Sequence, residues 1–173
     1  MQTTAGRRRL AVVAALVLGV LALTACSGTD ADRQRSAQAW LDRTADTVAD
    51  PDGWDSGGGQ LLRSGDVAEG GLISESTPAG DYDVVAVCRD AGAVRVTVRV
   101  FPEGRDGEGR DGEDGVVAGR AALRCGRTAR IPVTVPARSG VWIQARTSDR
   151  SEYALWYGTI ATPGWMPQVS GSR

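Results

Sequence analysis

Residues 93–101 alternate almost without a break: Val94, Val96, Val98 and Val100 fall on one side of an extended chain, and Arg95, Thr97 and Arg99 on the other. That period of two describes a strand with one face on a core and one face in water. Segments 81–89, 116–123, 129–135, 141–147 and 153–160 are similarly β-rich. Ile131, Val133 and Val135 share a face, as do Val141, Ile143 and Ala145. Segments 60–64 and 72–76 alternate more weakly and read as short strands. Turn residues separate them: Gly57–Gly59 reads as a flexible break, Pro78-Ala79-Gly80 as a turn, and Gly92 as another. Seven or eight short strands punctuated this way predict a mainly β fold, an antiparallel sandwich or jelly-roll-like domain.

One helix precedes it. Ala37, Trp40, Leu41, Thr44 and Val48 recur at helical spacing, which predicts an amphipathic helix over about 31–49. Thr29-Asp30-Ala31-Asp32 resembles a capping box with acids at the positive end of the dipole. Pro51 disfavours helical geometry at Asp50 and ends the helix.

The first 26 residues carry a different message. Arg7, Arg8 and Arg9 come before an apolar run over 10–23, and Leu23-Thr24-Ala25-Cys26 closes it. That run of 14 residues spans roughly 21 Å, short of the ~30 Å hydrocarbon core of a bilayer. It fits a secretory signal rather than a membrane helix. The polar residues after Cys26, with no basic cluster, point the same way. The four residues ending in Cys26 resemble the lipobox of bacterial lipoproteins, which implies lipid on the Cys26 sulfur and cleavage before it. Two acyl chains there would anchor stably, since each buried methylene contributes ~0.8 kcal/mol. Arg7-Arg8 also permits twin-arginine export, but the residues that follow favour the general secretory route. The expected organisation is a signal over 1–25, a lipidated tether and helix over 26–56, the β-sandwich over 57–162 and a flexible tail over 163–173.

With Cys26 committed to lipid, Cys88 and Cys125 remain. Outside the cytoplasm an even pair reads as a disulfide. Closing a loop of about 38 residues removes ~4 kcal/mol of unfolded-chain entropy. No histidine or further cysteine stands near enough to suggest a metal instead.

Composition narrows the chemistry. The chain has no His, Lys or Asn. It therefore lacks an imidazole base, a Schiff-base lysine and a phosphate-loop lysine. Past the signal, 17 Arg stand against 21 Asp and Glu, a net of −4, which gives no footprint for nucleic acid. No carboxylate pair marks a glycosidase and no Gly-x-Ser-x-Gly motif appears.

Two places are candidates for binding. The loop 103–115 holds the near-repeat Gly104-Arg105-Asp106-Gly107-Glu108 and Gly109-Arg110-Asp111-Gly112-Glu113. Its spacing does not match an EF-hand, and its glycines make ordering costly. It is expected to be a solvated hairpin excursion without metal. The other candidate is a sheet face. Trp142, Gln144 and Arg146 point opposite to Val141, Ile143 and Ala145, as Arg95, Thr97 and Arg99 point opposite to their valines. If the two strands are neighbours, one aromatic ring and several guanidiniums share a surface. Rings stack on sugars and guanidinium forks bind carboxylates, so a cell-wall glycan is a candidate ligand. The alternative is a solvated arginine face with Trp142 under the N-terminal helix. Trp156 and Tyr157 fall on opposite faces of one strand, so one of them belongs to the core.

The lipobox, Gly80-Asp81-Tyr82, the Cys88-Arg89-Asp90-Ala91-Gly92 turn, the alternating valine strand and Cys125-Gly126 together resemble small actinobacterial lipoproteins. The resemblance implies a location and a fold class and transfers no catalytic residue. The expectation is a lipid-anchored envelope protein on the extracytoplasmic face of the cell membrane, with a non-enzymatic binding or structural role. Its partners would be the membrane, through Cys26, and an envelope protein or wall glycan. The alternative is a carbohydrate-binding module for wall polysaccharide. Neither reading needs a cofactor.

Overall fold

The computed structural model describes residues 30–104 and 115–167. The chain divides into two units, Met1–Trp40 and Leu41–Arg173. The described part of the first unit is the start of helix α1 (residues 30–48). Asp30 and Asp32 lie in its first turn, where carboxylates suit the positive end of the helix dipole. Each pairs with an arginine three residues on, Arg33 at 3.3 Å from Asp30 and Arg35 against Asp32. Helix α1 stops at residue 48, two residues before Asp50, the position Pro51 drives out of helical geometry.

The second unit holds nine strands: β1 (Asp55–Gln60), β2 (Leu62–Ser64), β3 (Val67–Thr77), β4 (Gly80–Arg89), β5 (Ala93–Pro102), β6 (Val116–Arg124), β7 (Thr128–Val135), β8 (Ser139–Thr147) and β9 (Leu155–Ala161). They form two antiparallel sheets, β1-β9-β4-β7 and β2-β3-β8-β5-β6. The antiparallel pairs β1–β9, β3–β8, β4–β7 and β5–β6 amount to one long hairpin. Rolling it up brings β9 against β4 and β8 against β5. That is the strand order of a jelly roll. Eight strands make the roll, and the three-residue β2 is an addition on the outer edge of β3.

The inward faces are those the alternation assigns. Val94, Val96 and Val98 of β5 meet Val141, Ile143 and Ala145 of β8 in one core with Val84 and Ala86 of β4, Ile131, Val133 and Val135 of β7, and Trp156 and Ile160 of β9. The flexible break expected at Gly57–Gly59 is instead the middle of β1, paired to β9 with Gly58 opposite Tyr157. A methyl on Gly58 would lie 2.2 Å from the Trp156 carbonyl oxygen. The glycine is there because two backbones approach closely, not because the chain is loose.

Strand β9 is buried on both faces along its whole length. Trp156 and Ile160 point into the roll, while Leu155, Tyr157, Thr159 and Ala161 point outward and are buried too, as is Val85 of β4. The end of α1, with Thr44 and Val48 buried, and the segment after β9 cover this outer face. The Trp165 indole donates to the Val48 carbonyl at 3.1 Å. Asp50 accepts from the Thr162 amide at 2.7 Å and the Thr162 hydroxyl at 2.6 Å. The tail expected to be loose is thus tied down as far as Met166: the Gly164 amide donates to Asp83 at 2.7 Å, and Arg130 donates to the Trp165 carbonyl and to Met166. Residues 168–173 lie outside the described residues.

Cys88 of β4 is bonded to Cys125, the residue after β6, with Cα atoms 4.6 Å apart. Those strands belong to different sheets, so the bond staples one sheet to the other. The Gly126 amide donates to the Cys88 carbonyl at 2.9 Å and seats the turn beside it.

Candidate functional site

The helix end and the tail lie on the β1-β9-β4-β7 sheet. The outer face of the other sheet is where the predicted side chains converge. Strands β5 and β8 are direct neighbours, with Arg95 opposite Arg146, Thr97 opposite Gln144 and Arg99 opposite Trp142. On the far side of β8, β3 sets Glu69 opposite Arg146, Gly71 opposite Gln144 and Ile73 opposite Trp142. On the far side of β5, β6 sets Arg120 opposite Thr97. Trp142, Gln144, Arg146, Arg95 and Arg99 therefore share one surface, and the alternative that put Trp142 under the N-terminal helix does not match the side on which α1 ends.

The surface has a shaped floor. Thr97 is small and buried, and the longer side chains of Arg95, Arg99, Arg120, Gln144 and Arg146 stand around it. They enclose a shallow depression of about 830 Å³. Trp142 stands opposite Arg99, one of the lining residues, and brings its indole N–H edge beside Gly71: a methyl on Gly71 would come within 2.7 Å of the indole Nε1 and 3.5 Å of Cδ1. Only glycine lets the indole settle there. Ile73, beside it in register, is 47% exposed. A half-buried indole beside an exposed aliphatic residue offers apolar surface to a ligand.

The charge is uneven. Four guanidiniums stand around the depression. Arg146 pairs with Glu69 at 3.3 Å, and Arg99 donates to the Gly115 carbonyl at 2.9 Å, which fixes that side chain against the root of the β5–β6 loop. Arg95 and Arg120 are exposed.

Arg120 escapes a reading of the sequence alone. Segment 116–123 is mostly small residues, and its face assignment becomes visible only when Ala121 and Leu123 are seen turned to the core. The signal available beforehand was the alternation Gly119-Arg120-Ala121.

A second crevice, of about 690 Å³, is lined by Tyr82, Phe101, Pro102, Val116, Pro132 and Pro136, together with Asp81 and Asp83. Its carboxylates are already engaged. Asp81 accepts from the Thr134 hydroxyl at 2.7 Å. Asp83 accepts from Gly164 and faces Arg130 at 3.5 Å. It offers shape without uncommitted chemistry.

Among the described residues no group of three His, Cys, Asp or Glu side chains could hold a metal ion, and no helix is long and apolar enough to cross a membrane. Cys26 and residues 105–114 of the acidic loop lie outside the described residues. No protein-family model matches the chain, and no curated protein matches it either.

Proposed function

We propose that this is an extracytoplasmic protein of the cell envelope, held to a membrane by lipid on Cys26, whose open β3-β8-β5-β6 face is a binding surface without catalytic chemistry. The observation that carries the binding role is the cross-strand register, Arg95 against Arg146 and Arg99 against Trp142, which gathers side chains from two strands on one face that no other described segment covers. The Cys88–Cys125 bond supports an oxidising compartment. The absence of His and Lys from the sequence supports a non-catalytic role.

A second reading makes the ligand a wall polysaccharide. Trp142 favours it, because a half-buried indole on the outward side of this sheet offers an aromatic contact to a sugar ring. Co-sedimentation of the full chain with isolated wall fragments tests both. The expected result is that the chain pellets with the fragments and that Trp142→Ala stays in the supernatant. Equal pelleting of the two proteins would remove this face from the reading.

A further inference from the structure

Arg95 and Arg146 are direct cross-strand partners. Like charges placed opposite each other destabilise a sheet. Arg99 and Arg120 add two more positive charges around the same depression, and Glu69 is the acid paired among them. The chain as a whole carries a net charge of −1. A positive patch in such a chain keeps its electrostatic cost until an anion lies between the guanidiniums.

We infer that the depression over Thr97 takes the carboxylate of an acidic polysaccharide, with the sugar ring that bears it stacked on Trp142. This rests on the reading of the face as a binding surface. Trp142 and Arg99 are opposed in register, about 5 Å apart at their Cβ atoms. A ring platform and a guanidinium so close suit a ligand whose acid and ring belong to one sugar unit. Arg95 lies four residues from Arg99 on β5, about 14 Å along the strand, so the patch is long enough for successive units of a polymer. Planar guanidinium forks match carboxylates in two parallel hydrogen bonds. A phospholipid headgroup would use the charges but leave the indole unstacked. A nucleic acid would extend beyond the patch over an acidic protein.

The test is titration of the full chain, in mild nonionic detergent, with polygalacturonate, dextran, polyglycerol phosphate, phosphatidylglycerol vesicles and duplex DNA. The expected result is binding of polygalacturonate that weakens with added salt. It should fall about tenfold or more in the double variant Arg95→Gln/Arg120→Gln and also in Trp142→Ala. Arg127→Gln, at an exposed turn away from the face, should bind like the parent, and circular dichroism should show every variant folded. Dextran binding that is lost in Trp142→Ala but unchanged in the arginine variant would overturn the acidic ligand while leaving the binding face standing. Polyglycerol phosphate, vesicles or DNA bound as tightly as polygalacturonate would overturn the sugar carboxylate. Failure to bind polygalacturonate, or binding that all three variants retain, would overturn the inference outright.

Discussion

Asp50 joins the end of the helix to the end of β9. Its carboxylate accepts from the Thr162 amide and hydroxyl and from the Asp52 amide at 3.0 Å. Burial pushes its pKa up, but the hydrogen bonds from Thr162 and Asp52 outweigh that and leave it below the ordinary value of 3.8. A carboxylate with a lowered folded-state pKa stabilises the fold above the unfolded value. That contribution is lost as pH falls from 3.8 through the lower folded value. Asp50→Asn should therefore cost roughly 1–2 kcal/mol near neutrality, with the difference from the parent shrinking in acid. Urea melts across that range would show it; a constant difference at every pH would argue against the assignment. At the other sheet, Gly71→Ala places a methyl 2.7 Å from the Trp142 indole nitrogen. The indole is a movable side-chain end, so it swings aside while the sheet survives, with stability changed by less than ~1 kcal/mol. Wall-fragment binding should drop as it does in Trp142→Ala, together with a change in near-ultraviolet circular dichroism. An unchanged spectrum would mean that the indole does not rest where the glycine allows it.

Among the elements, β4 and β6 depend most on a covalent link. They lie in different sheets, and the Cys88–Cys125 bond ties them at one end of the roll. Replacing both cysteines by alanine should cost about 2–5 kcal/mol, read as a lower urea midpoint; equal midpoints would show that the core alone holds the sheets. The helix and strand positions follow from local pattern. Helix α1 ends where Pro51 demands, and the valines of β5 face inward as their spacing requires. Strand β1 is different. Asp55–Gln60 contains three consecutive glycines and has no apolar alternation. It is a strand because β9 offers it hydrogen-bonding partners. The segment after β9 is similar: Trp165 has no periodic neighbours, and its place is fixed by the Val48 carbonyl, 117 residues away in sequence.

For the whole molecule, the strongest expectation concerns residues outside the sandwich. If Cys26 carries the lipid, Cys26→Ala should move the protein from the membrane pellet to the soluble fraction after a high-salt wash. A variant that stays in the membrane with its signal removed would count against the lipid anchor. The roll itself presents two unlike faces. One sheet is covered by the end of α1 and the chain's last described residues, while no described segment covers the guanidiniums and Trp142 of the other. Sequence alternation says that both sheets have outward residues. Which outward set is covered depends on where α1 and the tail come to rest, and that follows from the Asp50–Thr162 and Trp165–Val48 contacts.

By itself the sequence determines the β class, the inward face of each strongly alternating strand and the helix end. Each of these rests on a pattern visible within a few residues: side chains alternate every second position in a strand, and proline restricts the residue before it. That β8 lies beside β5 is a product of the folded roll. With that register Trp142, Gln144 and Arg146 meet Arg99, Thr97 and Arg95, and Arg120 joins them from β6. The sequence could not decide it because the outward side chains of a strand are indifferent, within the strand, to which neighbour they will face. The pairing is chosen by how the whole roll closes over its core, and the composition of the open face follows from that closure.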